Sequence, residues 1–221
     1  MGKVTITTTL PKRPYQALAD RPAITTARLT LRAGAAEHES LIHRLRTQEE
    51  VMVWSSAGCV DADMAATHKS MSAWLPPNDR ETWNWVVFET ETGAFVGTAG
   101  NYRRVGSHGW PELGYMLVRE SWGKGYATEI LRAFVESWWA LPREQTSIEV
   151  EEGTCVVDGQ LGKTVQNGDV VEEVLMAVID VKNDRSANVL RKLGFEKAVD
   201  WQQEDKGVTY NLATMVMKKS G

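Results

Sequence analysis

Residues 112–138 constrain this chain more than any other stretch. A β-prone run from Glu112 to Val118 leads into Trp122-Gly123-Lys124-Gly125-Tyr126-Ala127. An amphipathic series follows: Ala127, Ile130, Leu131, Phe134, Val135 and Trp138 recur at i, i+3 and i+4, and the pattern ends near Leu141-Pro142. Strand, glycine loop and helix in that order form a device for holding anions. Glycine lets the backbone approach a ligand closely, and the free N–H groups at a helix start attract phosphate. Read alone, the segment is also consistent with a turn that exists for packing.

The elements around it set the fold class. Ile24 to Arg32 reads as a first strand, and helices are expected from about Ala35 to Arg46 and from Asp61 to Leu75, the second stopped by Pro76-Pro77. Trp83 to Glu89 and Phe95 to Tyr102 read as a hairpin turning at Glu91-Thr92-Gly93. Beyond the central helix come a strand from Val174 to Val181, a short helix from Asp184 to Leu193 closed by Gly194, and strands near Phe195 to Trp201 and Val208 to Met217. This order predicts an α+β, mixed α/β fold and not an all-parallel array. Residues 1–22, rich in Thr, Pro and basic side chains, read as an N-terminal arm ahead of a domain over 23–217. Residues 143–173 hold eight acids against Arg143 and Lys163 and are punctuated by glycine; they read as a β-hairpin-like insertion, peripheral to the core.

Composition narrows the function classes. With 221 residues, 43% apolar and a net charge of −4, the chain suits one domain with an elaboration. It lacks the basic footprint of a nucleic-acid or anionic-membrane binder, and no apolar run approaches the roughly 20 residues that span a bilayer. The N-terminus has no signal-peptide core, and Ile6 breaks the myristoylation pattern, so a cytoplasmic location is expected. Cys59 and Cys155 read as reduced, mostly buried thiols, and no metal is expected. His38 and His43 are five apart, roughly 140° from each other on a helix, and read with Glu39 as solvent-facing residues rather than zinc ligands. Gly159-Gln160-Leu161-Gly162-Lys163-Thr164 ends like a phosphate loop, but Val157 stands where that motif needs its first glycine; a hairpin turn is expected. No Gly-x-Ser-x-Gly elbow occurs.

A second segment, Asn183-Asp184-Arg185-Ser186-Ala187-Asn188-Val189-Leu190-Arg191-Lys192-Leu193-Gly194-Phe195, is on its own a capped helix ended by glycine. Together with Tyr115-Met116-Leu117-Val118 and Trp-Gly-Lys-Gly-Tyr-Ala-Thr-Glu, it resembles the two motifs of the GNAT superfamily of acyl-CoA N-acyltransferases. Trp122 departs from the Arg or Gln of the general pattern. The residues around it, and the opening Thr26-Ala27-Arg28-Leu29-Thr30-Leu31-Arg32, are similar to the RimJ/RimL-like branch. The resemblance covers residues 23–217 apart from the insertion. It implies a GNAT-like fold: a central, mixed, mostly antiparallel sheet of six to seven strands flanked by about four helices.

The resemblance also implies roles. The backbone of Met116, Leu117 and Val118 would pair with the pantetheine arm of acetyl-CoA, and the amides of Gly123, Lys124, Gly125, Tyr126, Ala127 and Thr128 would receive the pyrophosphate, with the Lys124 ammonium beside it. Asn183 and Ser186 would face the cofactor, and a backbone N–H near Leu117 or Val118 would stabilise the oxyanion. Leu190 stands where many relatives carry an acidic tyrosine, so thiolate protonation is assigned to Ser186. Glu112 is the expected general base. Trp54, Trp85 and Trp110 are expected to wall the acceptor, a primary amine of a small metabolite or a protein N-terminus. A monomer or homodimer is implied, with no metal, nucleic-acid or membrane partner. The alternative is a non-catalytic acyl-CoA sensor or partner-binding module on the same fold.

Overall fold

The computed structural model describes residues 2–205 and 207–219. In chain order the elements are β1 (Lys3–Pro11), β2 (Ile24–Thr25), β3 (Leu29–Ala33), α1 (Glu39–Arg46), α2 (Glu49–Met52), α3 (Met64–Met71), β4 (Trp83–Glu89), β5 (Phe95–Arg103) and β6 (Glu112–Leu117). They continue with α4 (Tyr126–Ala140), β7 (Arg143–Glu151), β8 (Val156–Val157), β9 (Gln160–Leu161), β10 (Val174–Asp180), α5 (Asp184–Lys192), β11 (Glu196–Asp205) and β12 (Val208–Lys218). The class is mixed α+β, as the element order predicts. No helix among the described residues is long and apolar enough to cross a membrane.

The chain divides into two compact units. One comprises Arg13–Tyr102 and Gly114–Trp138. Its sheet runs β6-β5-β4-β3-β2. The expected first strand is broken in two, because Thr26 N–H donates to the Leu29 carbonyl and turns the chain, leaving β2 and β3 as an antiparallel pair. β4 begins and ends where the sequence pattern places it, and Gly93, at φ 70°, makes the expected turn into β5. α2, only four residues long, is too short to show a period and escapes the sequence reading. Ile42 and Leu45 of α1, Met71 and Trp74 pack with Val86, Phe88, Phe95 and Val118 of the sheet to form this unit's core.

The other unit comprises Met1–Lys12, Arg103–Leu113 and Trp139–Gly221. Its sheet runs β11-β12-β10 and reaches the start of β6, where Met176 stands parallel to Glu112. β6 belongs to both runs, so the main sheet has eight strands where six to seven were expected, and the described residues form five α-helices where about four were expected.

Two expectations fail in this unit. The first half of the expected arm contains a nine-residue strand: β1 pairs antiparallel with β7 along its whole length, from Lys3↔Glu151 to Pro11↔Arg143; Met1 lies outside the described residues. The insertion is likewise not peripheral. Val150, Cys155, Val156, Val165 and Val171 bury with Val4, Ile6 and Leu10 of β1 and with Val174, Met176 and Val216 of the main sheet. The acid count misled because a strand alternates faces: Gln145, Ser147 and Glu149 are exposed while Val150 is buried and Ile148 packs against the core. The hairpin turn expected near Gly159 is present, with Asp158 and Gly159 at φ 50° and 74° between β8 and β9.

Candidate active site

Residues 114–138, which hold most of the strand, the whole loop and most of the helix singled out by the sequence, lie in one unit. β6 leaves Gly114, Tyr115 and Met116 partly exposed and buries Leu117. Val118 N–H donates to the Val96 carbonyl at 3.0 Å. Since backbone N–H groups alternate along a strand, the Leu117 N–H faces away from β5. A short 3-10 turn, Arg119–Ser121, then reverses the chain. The Trp122 indole N–H donates back to the Leu117 carbonyl at 2.9 Å, and Arg119 lies 4.9 Å over the Trp122 ring. Thus the residue that departs from the family pattern ties the strand end to the loop.

Gly123 and Gly125 both adopt left-handed backbone, at φ 75° and 79°. Side chains other than glycine rarely enter that region, so the turn requires them. A Cβ at Gly123 would meet nothing within 4 Å, so that side of the loop is open; one at Gly125 would stand 3.5 Å from an Arg28 nitrogen. α4, 15 residues long, starts at Tyr126, and its first amides carry the positive end of the helix dipole.

Three residues that sequence reasoning passed over surround this loop. The Glu129 carboxylate accepts from Thr26 Oγ1 (2.6 Å), the Arg28 backbone N–H (2.9 Å) and Arg28 Nε (2.8 Å), and lies 2.7 Å from Arg28 Nη2. Burial would raise its pKa, but these donors outweigh burial and hold it below the usual range. Arg28 Nη1 donates to the Lys124 carbonyl at 3.0 Å, and the guanidinium lies 4.7 Å over the Tyr126 ring. Glu89 accepts from the Tyr126 hydroxyl at 2.9 Å and stands 3.8 Å from Lys124 Nζ. Hydrogen bonds from Thr92 and Tyr126 keep the Glu89 carboxyl below its ordinary pKa, and that from Tyr126 raises the tyrosine's. Lys124 is therefore held by a carboxylate. The only sequence signal for Arg28 was its place in the opening strand motif, and for Glu129 its place at the end of the Trp122–Glu129 motif.

Asn183, Ser186 and Glu112 lie in the other unit. Asn183 is the N-cap of α5, its Oδ1 accepting from the Ser186 N–H at 3.0 Å. Ser186 is 9% exposed, and Leu190 is fully buried. Glu112 accepts from the Ser107 N–H at 3.2 Å and from Ser107 Oγ at 3.4 Å.

The tryptophans separate sharply. Trp54 is 45% exposed, but Trp85 is 1% and Trp110 0% exposed. Trp85 packs edge-on to Trp83, and the Trp110 indole N–H donates to Thr154 Oγ1 at 2.9 Å. Both are core residues, which corrects their placement on an acceptor wall. The histidines also differ from expectation. His38 is buried, its Nδ1 accepting from the Ala35 N–H, and His43 Nδ1 shares a 2.8 Å hydrogen bond with Thr67. Cys155 is buried, with its thiol pushed up to about 11 by desolvation, whereas Cys59 is exposed.

Comparison with known proteins bears on the family and the fold. The family model described as "Acetyltransferase (GNAT) domain" matches residues 28–196. A GNAT-family acetyltransferase from Bacillus anthracis superimposes with a TM-score of 0.63 at 15% identity, covering 89% of this chain and 98% of that one. A spermidine N-acetyltransferase from Vibrio cholerae, in complex with CoA and spermine, gives 0.61 at 16% identity, covering 87% and 96%. The ribosomal α-N-protein acetyltransferase RimL, in complex with coenzyme A, gives 0.60 at 14% identity, covering 89% and 98%. At these identities the likeness is one of fold, and the family match spans most of the chain: it belongs to the GNAT acetyltransferases.

Proposed function

We propose that the chain is an acetyl-CoA-dependent N-acetyltransferase that moves an acetyl group to a primary amine by direct attack in a ternary complex. The observation that carries this reading is the glycine loop: Gly123 and Gly125 in left-handed backbone, open on one side, between a partly exposed strand and the start of a long helix. The amides from Gly123 to Thr128, in the loop and at the start of α4, suit a diphosphate. The backbone of Met116, Leu117 and Val118 suits the amides of a pantetheine arm. Asn183 and Ser186 complete the proposed cofactor contacts.

In the proposed reaction the neutral amine nitrogen attacks the thioester carbonyl carbon, the carbon–sulfur bond breaks, the nitrogen gives up a proton and the departing thiolate gains one. Of the two oxyanion donors expected, the Val118 N–H is engaged by Val96, which favours Leu117. Glu112 is proposed to take the amine proton, directly or through water, and Ser186 to supply the thiolate proton. Trp54 remains in the proposed acceptor surface. The acceptor is a protein or peptide N-terminus or a small amine; the RimL and spermidine enzymes of the same fold act on one of each. A cytoplasmic monomer or homodimer belongs to the same reading.

A thiol-release assay with acetyl-CoA and a panel of peptides and small amines tests it. Release dependent on one acceptor class is expected, with Ser186→Ala lowering turnover about a hundredfold more than it weakens cofactor binding. Tight CoA binding without release for any acceptor would favour the sensor or partner-binding reading instead.

A further inference from the structure

We propose that Arg28 is a positioning residue of the cofactor site, one that aims the Gly125 N–H at the diphosphate by holding the Lys124 carbonyl. This rests on the acyl-CoA reading above and deepens it. A trans peptide points its C=O and its N–H to opposite sides. Lys124 C=O is bound by Arg28 Nη1 at 3.0 Å, so the Gly125 N–H of the same peptide is turned the other way. Gly125 at φ 79° then sets the direction of the amides that follow into α4.

Arg28 can do this because it is itself immobilised. Its backbone N–H, Nε and Nη2 all meet Glu129, whose first oxygen also takes the Thr26 hydroxyl. Thr26 and Leu29 close the turn beneath it through two further hydrogen bonds, Thr26 N–H to the Leu29 carbonyl and Leu29 N–H to Thr26 Oγ1. The Tyr126 ring supports the guanidinium face. The positive charge of Arg28 is cancelled by Glu129, so its contribution is the fork geometry rather than a counter-charge to phosphate. Lysine has no fork and cannot span both the carboxylate and the carbonyl. Arg28 and Glu129 are 101 residues apart, so the turn between β2 and β3 and the start of α4 are locked as one piece.

Calorimetry with acetyl-CoA and with S-acetylpantetheine, which lacks the diphosphate, separates the possibilities. It is run on the wild type, Arg28→Ala, Arg28→Lys and Glu129→Gln, with a thermal melt for each. The wild type is expected to prefer acetyl-CoA. Arg28→Ala and Arg28→Lys should each weaken acetyl-CoA binding about tenfold and leave S-acetylpantetheine unchanged. Glu129→Gln should show the same pattern in smaller measure. Unchanged acetyl-CoA affinity in Arg28→Ala, equal loss of both ligands, or full rescue by lysine overturns the positioning role. Should Arg28→Ala not fold, the lysine and glutamine variants decide. A wild type that does not distinguish the two ligands instead overturns the acyl-CoA reading, and this inference falls with it.

Discussion

Two arginine–glutamate pairs, one in each unit, behave in opposite ways. Glu129, beside the glycine loop, receives donors on both oxygens from Thr26 and Arg28. Its carboxyl lies below the ordinary range even though burial pushes it up. Glu173, in the unit containing β1 and β7, accepts from Arg143 Nε at 2.9 Å and Thr9 Oγ1 at 3.1 Å, both on one oxygen. Its other oxygen is buried without a partner among the described residues. Desolvation dominates, Arg143 and Thr9 offset only part of it, and the carboxyl is raised. An ion pair therefore stabilises to the extent that every oxygen is satisfied, and the mere presence of an arginine does not decide the sign. The fully satisfied pair abuts the proposed site, where geometry matters most; the half-satisfied one lies in a packed core.

The largest change expected would test whether the second region is as integral as its buried valines imply. Replacing residues 147–168 by a short glycine-containing turn removes the partners of Lys3 to Thr7 and the buried Val150, Cys155, Val156 and Val165. Scanning calorimetry should then show loss of the cooperative transition; a variant that melts like the wild type would return the segment to the periphery. At the loop, Gly125→Glu should weaken acetyl-CoA binding by more than about a hundredfold, because the side chain needs φ 79° and sets a carboxylate against the diphosphate. Unchanged affinity in a folded variant would remove the loop from the site. Ile6→Ala, in a strand within the segment expected to be an N-terminal arm, should cost about 3 kcal/mol in urea unfolding. A loss under 1 kcal/mol would show that β1 adds little.

The two glutamates give the smallest effects and the sharpest contrast. Glu129 has a folded pKa below its unfolded value. The stability it contributes is complete above the unfolded value near 4.3 and is lost as pH falls through the lower, folded one. Glu129→Gln should accordingly cost about 2 kcal/mol at pH 7, a gap that closes in acid. For Glu173 the folded pKa lies above the unfolded one. The wild type carries a penalty at neutral pH that is relieved as pH falls through the raised value. Glu173→Gln should stay within about 1 kcal/mol of the wild type at pH 7, and any advantage it has should shrink on acidification. Unfolding curves for both variants at pH 7 and in mild acid check the signs; the same sign for both would break the contrast.

What was legible in the amino-acid order was whatever short-range rules encode. The borders of β4, the glycine turn after it, the hairpin at Gly159, the course of α4 and the cap of α5 by Asn183 all follow from periodicity, backbone preference or a side chain reaching three residues along. The glycine loop and the Asn183–Phe195 segment were readable for the same reason, since their features are contiguous.

Folding in three dimensions decided the rest, because it depends on contacts between residues far apart in the chain. β1 finds β7 some 140 residues on, and neither strand's partner is written in its own residues. Trp85 and Trp110 could have faced solvent or core on composition alone; the layers that cover them settled the matter. Arg28 carried no local sign of its task, which exists only because Glu129 and the Lys124 carbonyl are brought to its side chain.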